Sequence, residues 1–161
     1  MNKKIYAIYG FGGYGSEVLP LMRENYNENN ICFIDDSLDI AENIKVNTFT
    51  FNDFLNKYHD YEKFCSIAIA NSKIRKDLYF KCINNDIKII NVSSKNSIIL
   101  DNNSIGDGLI LNPFTCITSN SEIGLCFQAN LYSYVGHDCI IEDFVTFAPS
   151  VKCNGNVIIK E

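Results

Sequence analysis

The sequence contains no apolar stretch that approaches the ~20 residues of a membrane-spanning helix. The apolar run after Met1-Asn2-Lys3-Lys4 ends at Tyr9, and this is too short for a signal peptide. Seven cysteines are present, but their number is odd and no two of them form a CxxC pair. We therefore expect neither a disulfide framework nor membrane insertion, and instead a cytoplasmic protein whose cysteines are reduced core residues.

Basic residues are also few, since 14 Lys and Arg face 19 Asp and Glu, for a net charge of −5. This balance argues against nucleic acid or an anionic membrane surface as the main partner. Only two histidines are present, and no cluster of His, Cys, Asp and Glu has metal-ligand spacing, so we predict no metal site. A length of 161 residues with 47% apolar residues fits one ordinary globular domain or two small ones.

A repeat of six residues dominates the second half of the chain. Eleven consecutive positions at this spacing are apolar: Ile99, Ile105, Leu111, Ile117, Ile123, Ala129, Val135, Ile141, Phe147, Cys153 and Ile159. Neither an α-helix nor an ordinary strand has a period of six, whereas each flat face of a parallel β-helix uses one hexad and turns one side chain inward. We call this set the ladder, and it predicts a parallel β-helix of three hexads per coil.

A second inward register follows the ladder by four residues and is mostly small or apolar. It runs through Asn103, Leu109, Thr115, Ser121, Phe127, Ser133, Cys139, Val145, Val151 and Val157. Gly or Asn directly follows six ladder residues, namely at Gly106, Asn112, Gly124, Asn130, Gly136 and Asn154. Because these residue types tolerate left-handed backbone, we expect the corners of the β-helix at these positions.

The first half alternates predicted strands and helices. Strands are expected at residues 5–9, 31–34, 65–70 and 87–92, and helices at 16–26, 52–58 and 72–83, with Ser72 as a possible cap. This alternation predicts a small Rossmann-like parallel sheet with helices packed on it. Polar residues 93–97 separate the two patterns, so we predict one domain at residues 1–96 and a β-helix domain at 97–161.

Glycine spacing after the first strand matches a dinucleotide-binding fingerprint. Gly10, Gly12 and Gly15 lie between a strand and a helix, where backbone N–H groups approach a pyrophosphate. Asp35 and Asp36 end the second strand, where an acidic side chain often holds a ribose. Three interpretations remain open: an NAD site, a nucleotide-sugar site, or a purely structural turn. We favour the nucleotide sugar, because the sheet is too short for a full dinucleotide fold.

His137 is the candidate for chemistry in the second half. The ladder turns Val135 and Cys139 inward, so His137 should face outward near a corner, with Asp138 beside it. An ordinary imidazole titrates at about pH 6.5, so it can serve as the neutral base that acylation requires. The alternative is a surface histidine without a role. Cys139 is expected in the core rather than as a nucleophile.

Together these motifs resemble the left-handed β-helix sugar O- and N-acyltransferases, especially the two-domain enzymes that acetylate UDP-linked 4-amino sugars or sialic acid. The resemblance implies that the N-terminal domain binds a nucleotide sugar through the turn that follows the first strand, the acidic end of the second strand and a strand-to-helix turn near residue 71. The corresponding residues are Gly10, Gly12, Gly13, Tyr14, Gly15, Asp35, Asp36 and Asn71.

The resemblance also implies a homotrimer with acetyl-CoA bound in the groove between coils. His137, oriented by Asp138, would be the general base, and the Gly155 N–H would hold the thioester carbonyl. The expected reaction is direct acetyl transfer to a sugar amine or hydroxyl in the synthesis of bacterial surface-glycan precursors, without an acyl-enzyme.

The sequence departs from the family pattern in three respects. Tyr14 stands where the family has the histidine of a Gly-His-Gly turn, and Thr146 stands where a second histidine often follows the base. The family's β-helix also continues for further coils beyond the position of residue 161. The sequence therefore leaves an alternative, a C-terminally truncated, non-catalytic relative that binds nucleotide sugars or acts as a scaffold.

Overall fold

The computed structural model describes residues 3–37 and 47–160. Its first half is a five-stranded, fully parallel sheet in the order β3-β2-β1-β4-β5. The elements are β1 (Lys4–Tyr9), α1 (Gly13–Asn25), a 3-10 turn (Glu28–Asn30), β2 (Ile31–Ile34), β3 (Thr48–Phe49), α2 (Phe51–Lys57), β4 (Glu62–Ile67), α3 (Ser72–Ile83) and β5 (Ile87–Ile89). The Rossmann-like α/β prediction is confirmed. No helix in the described part of the chain is long and apolar enough to span a bilayer.

Two local predictions in this half are wrong. Asn71, not Ser72, caps α3, because its side-chain oxygen accepts the Ile74 N–H at 3.1 Å. The strand expected over residues 87–92 is two strands of different sheets: β5 joins the N-terminal sheet, while Val92 opens β6 and pairs with Ile110.

The second half is a parallel β-helix of twelve two-residue strands. After β6 (Val92–Ser93) they are β7 (Ile98–Ile99), β8 (Ser104–Ile105), β9 (Ile110–Leu111), β10 (Cys116–Ile117), β11 (Glu122–Ile123), β12 (Gln128–Ala129), β13 (Tyr134–Val135), β14 (Ile140–Ile141), β15 (Thr146–Phe147), β16 (Lys152–Cys153) and β17 (Ile158–Ile159). They form three four-stranded sheets, β15-β12-β9-β6, β16-β13-β10-β7 and β17-β14-β11-β8, which we call the first, second and third face. Paired residues are 18 apart, as in Ile117↔Val135, so three hexads make one coil.

Ladder residues are the second residue of each strand, and they line the core of the β-helix together with the second inward register. Ile99 is the exception at 43% exposure, because it lies in the first coil, where no coil covers it from below. Pairing along the first face begins at Val92–Ser93, before the predicted boundary at residue 97. The sequence concealed this strand because Ser93, the residue at the ladder position, is polar.

The expected corner positions are wrong by two residues. Left-handed backbone occurs three residues after each ladder residue, as at Asn120, Cys126 and Tyr132, and not at the following Gly or Asn. The glycines at the predicted positions serve a different purpose, the close stacking of coils. A Cβ on Gly124 would lie 2.6 Å from the Asp143 backbone nitrogen, and one on Gly136 would lie 2.6 Å from the Gly155 nitrogen.

The first face packs against the N-terminal sheet and its helices. Val92 and Ile110 share a buried cluster with Ile8 and Phe33, while Gln128 Nε2 donates to the Ile67 carbonyl at 2.8 Å. All seven cysteines are free thiols and six are buried.

Candidate functional site

His137 and Asp138 lie at the corner between β13 and β14, where the second face meets the third. Neighbouring side chains of a strand point to opposite sides, but Asp138 has a φ of 57°, which turns the chain so that both side chains face solvent. His137 Nδ1 lies 2.6 Å from Asp138 Oδ2, and the two side chains are 62% and 47% exposed. The outward direction predicted for His137 is confirmed, and Cys139 is buried in the core.

This contact fixes the tautomer of the imidazole. A carboxylate only accepts hydrogen bonds, so Nδ1 carries the proton and Nε2 of the neutral ring has a free lone pair. The same hydrogen bond is the main reason that the pKa of Asp138 lies below its ordinary value, which keeps the carboxylate ionised. The pair therefore presents a base nitrogen to solvent.

Gly155 lies directly against the imidazole, one coil further along the β-helix. A Cβ at this position would lie 2.5 Å from His137 Nε2 and 2.6 Å from Cε1, so only glycine leaves room for the ring. The Gly155 N–H donates to no acceptor in the described part of the chain. The base nitrogen thus lies against a glycine whose backbone N–H is free, an arrangement suited to deprotonating a nucleophile beside a developing oxyanion.

The Gly-rich turn after β1 contains two glycines that the fold requires and two that it does not. Gly10 has a φ of 108°, and a Cβ there would meet Ile69 Cδ1 at 2.6 Å, while Gly15 packs onto the Gly10 carbonyl. A Cβ on Gly12 or Gly13 would meet nothing within 4 Å. These two positions open the N-terminus of α1 to solvent, where unpaired N–H groups favour an anion.

Both acidic residues after β2 are engaged within the protein. Asp35 accepts the Phe11 N–H at 2.8 Å, which ties it to the Gly-rich turn. Asp36 accepts from Tyr9 Oη at 2.6 Å, from Lys81 Nζ at 2.8 Å and from the Phe51 N–H at 2.8 Å. Partial burial raises the pKa of Asp36, but these hydrogen bonds outweigh it, so the pKa lies below its ordinary value.

Tyr14 and Asn71 also have structural partners. Tyr14 Oη lies 3.4 Å from Asn112 Nδ2, at the corner between the first and second faces, and burial raises its pKa well above the ordinary range. Asn71 caps α3 with its side chain. Thr146 Oγ1 donates to the Ala70 carbonyl at 3.3 Å, so Thr146 docks the strand-to-helix turn before α3 onto the β-helix.

The sequence missed one buried residue of this interface, Arg75. Its side chain is fully buried and donates to the carbonyls of Ile69, Ala70 and Phe144 and to Gln128 Oε1. It therefore fastens the turn before α3 to the β-helix. The sequence gives no sign that Arg75 is buried, because arginines on helices are mostly exposed.

An open groove of about 370 Å³ follows the third face towards the corner where this face meets the first. Its lining includes Glu122, Ile140, Glu142 and Asp143. Three carboxylates repel phosphate groups, so this groove is not suited to the phosphates of a CoA molecule.

The candidate residues form two groups at different corners. His137, Asp138 and Gly155 lie between the second and third faces, whereas Tyr14 brings the Gly-rich turn to the corner between the first and second. Within the described residues, no hydrogen bond or ring contact joins the two groups. In the described parts of the chain, no group of three or more His, Cys, Asp and Glu lies close enough to hold a metal ion.

A Rossmann-like domain on a hexad β-helix with an exposed His–Asp pair defines the class of β-helix acyltransferases. Comparison with known proteins supports this class: residues 6–82 match the model of the PglD N-terminal domain. GDP-perosamine N-acetyltransferase of Escherichia coli O157:H7 is 39% identical over 165 residues, which cover 98% of this chain and 73% of that protein. The chain therefore belongs to this family of sugar acetyltransferases, enzymes that use acetyl-CoA.

Solved structures agree with this assignment. WeeI from Acinetobacter baumannii AYE is 43% identical, with a TM-score of 0.91 over 97% of this chain and 74% of that chain. The acetyltransferase domain of PglB from Neisseria gonorrhoeae, in complex with acetyl coenzyme A, is 23% identical with a TM-score of 0.84, over 99% and 77% of the two chains. These similarities confirm the predicted left-handed β-helix.

Proposed function

We propose that this chain transfers the acetyl group of acetyl-CoA to the amino group of a nucleotide-linked amino sugar, with His137 as general base. The observation that carries the proposal is the His137–Asp138 contact of 2.6 Å, which leaves Nε2 free against Gly155. The activity of the Escherichia coli relative, GDP-perosamine N-acetylation, supplies the substrate class.

The reaction follows from these positions. The sugar amine approaches Nε2, transfers a proton to it and attacks the thioester carbonyl. Asp138 stabilises the imidazolium that forms, and the Gly155 N–H donates to the carbonyl oxygen as negative charge develops there. Collapse of the tetrahedral intermediate expels the CoA thiolate, which takes up a proton, and no acyl-enzyme forms.

The nucleotide diphosphate is assigned to the open start of α1 in the N-terminal domain (residues 1–96 in the sequence-based division). The absence of side chains at Gly12 and Gly13 leaves space for phosphate oxygens at the N–H groups of the helix. Gly10, Gly15 and Asp35 hold the turn in shape. We assign Tyr14, in the first turn of α1, and Asn71, at the N-cap of α3, to the same subsite, and Asp36 supports the end of β2.

A homotrimer would bring the two groups of residues together between neighbouring copies. Outward-facing isoleucines on two faces support an interface: Ile98 on the second face and Ile140 and Ile158 on the third are all exposed in the single chain. We also assign the activity to the cytoplasmic synthesis of surface-glycan precursors, where nucleotide sugars and acetyl-CoA are both available. Light scattering tests the trimer, and a monomer at micromolar concentration would contradict it.

The experiment is to incubate the purified chain with acetyl-CoA and a panel of GDP- and UDP-linked amino sugars. Thiol release and a product heavier by one acetyl group are expected, and His137→Ala should abolish both. Sugar O-acetylation would appear as an alkali-labile product. Nucleotide-sugar binding by calorimetry without thiol release for any acceptor would favour the non-catalytic alternative.

A further inference from the structure

The corner that carries the His–Asp pair has a polar composition that its backbone does not require. Its left-handed positions, one per coil, are Asn102, Asn120, Asp138 and Asn156, with φ between 57° and 61°. The same left-handed positions at the other two corners hold Phe114, Tyr132, Ser150, Gly108, Cys126 and Phe144. Since aromatic residues adopt this backbone elsewhere in the same β-helix, the conformation alone does not explain four Asn or Asp residues at one corner.

Asn120 lies directly beneath Asp138, because residues 18 apart are neighbours in adjacent coils. Its side-chain amide lies next to the Asp138 carboxylate and helps to lower the pKa of that group. The backbone of the same coil holds Asp138 as well, since the Asp138 N–H donates to the Ser119 carbonyl at 3.0 Å. The coil below thus holds Asp138 through its backbone and places an amide next to its side chain.

We infer that Asn120 is a positioning residue for the proposed catalytic pair: it holds the Asp138 carboxylate where it accepts from His137 Nδ1, which directs Nε2 towards Gly155. This inference rests on the proposed function. The exposed Asp138 side chain has several rotamers open to it, and a hydrogen bond donated by the neighbouring Asn120 amide would select one of them. The Asn120 amide is suited to this because it donates to a carboxylate without adding charge.

The test compares Asn120→Ala with Asn102→Ala. Both substitutions replace an Asn at φ 60° on the same corner, but Asn102 lies one coil further from Asp138. We expect Asn120→Ala to lower kcat about tenfold, equivalent to about 1.4 kcal/mol, with KM for both substrates unchanged. Asn102→Ala should keep kcat within about twofold of wild type, and the two variants should lose similar thermal stability because both introduce Ala into left-handed backbone.

Asn120→Asp provides a second test, the pH dependence of kcat/KM, which would not change if Asn120 had only a structural role. It keeps the shape but replaces the donor with a negative charge beside Asp138, which favours the imidazolium. The acid limb of the kcat/KM profile should therefore move to higher pH, and Asn102→Asp should move it less. Among the described residues, the other ionisable side chains of the corner are Asp101 and the inward-facing Cys139. Tyr134 and Lys152 flank the corner on the second face, and Glu122 flanks it on the third.

Histidine ¹⁵N NMR tests the inference without activity, since the chain has only two histidines and His137→Gln assigns the signals. We expect His137 to be protonated on Nδ1 in wild type and Asn102→Ala, and a mixture of tautomers in Asn120→Ala. Identical His137 tautomers in the two Ala variants, or equal kcat losses, would overturn the inference. If wild type transfers no acetyl group to any acceptor, the proposed function fails, and the tautomer comparison alone decides the role of Asn120.

Discussion

Replacing Gly155 with Ala tests the geometry of the proposed base most directly. The new Cβ would lie 2.5 Å from His137 Nε2, 2.6 Å from Cε1 and 2.9 Å from Cδ2, whereas ordinary contacts are 3.4–4 Å. The imidazole must therefore move by about 1 Å, and a misplacement of this size costs about 10²-fold in rate. The backbone does not resist the substitution, because Gly155 is not among the residues with positive φ.

The effect on folding should be small, because the His137 side chain is 62% exposed and can swing into solvent. We expect kcat/KM to fall about 10²-fold, which corresponds to about 2.7 kcal/mol of transition-state stabilisation. The midpoint of thermal unfolding should stay near that of wild type. The assay is thiol release from acetyl-CoA with the best acceptor from the panel.

A double-mutant cycle with His137→Ala supplies the control. If the methyl group acts by displacing the ring, Gly155→Ala should cost nothing further once the ring is absent. Additional loss in the double variant would show that the methyl group blocks substrate instead. Near-wild-type activity of Gly155→Ala would refute the placement of Nε2 against Gly155, because the ring in its present position leaves no room for the added atom.

Three further predictions follow from the hydrogen bonds. Asp138→Asn turns an amide towards the imidazole and favours the tautomer with the proton on Nε2, so kcat should fall by about 10²-fold or more while the unfolding midpoint in urea is unchanged. Arg75→Met leaves buried carbonyls without donors, so the free energy of unfolding should fall by about 2–4 kcal/mol, measured by urea denaturation. Asp36 has a depressed pKa in the folded state, so its contribution to stability is complete above its ordinary value of 3.8 and disappears as pH falls through the folded value. Lys81→Met should therefore reduce the difference between the free energies of unfolding at pH 6 and pH 3. An unchanged difference would show that Lys81 does not hold Asp36.

The ladder predicted the β-helix because each hexad carries its own apolar residue, whatever the rest of the chain does. One inward residue per flat face is a packing requirement, and the second register confirms the direction of each side chain. The ladder does not identify the corners, because three residues after each ladder position the sequence has Phe, Tyr, Cys, Asn, Asp, Ser and Gly alike. Stacking supplies the left-handed backbone there, and the residue type contributes little.

Tertiary partners decided the features that the sequence did not predict. Arg75 is buried because carbonyl groups from two domains converge on it, and those groups are as far away in sequence as Phe144. Val92 joins the β-helix through pairing with Ile110, although Ser93, which occupies the ladder position of the same strand, is polar. Asp36 follows the second strand as predicted, but its contacts with Tyr9 and Lys81 depend on how α3 packs on the sheet.

The 18-residue coil turns spacing in the sequence into contact in space, and this bears on the proposed site. Gly155 lies 18 residues after His137 and touches its ring, while Asn120 lies 18 residues before Asp138 and touches its carboxylate. A side chain on the residue one coil above therefore competes with the imidazole for the same volume, whereas a donor one coil below orients the carboxylate. For this reason the residues that shape the base are set by the register of the coil and lie far from His137 in the sequence.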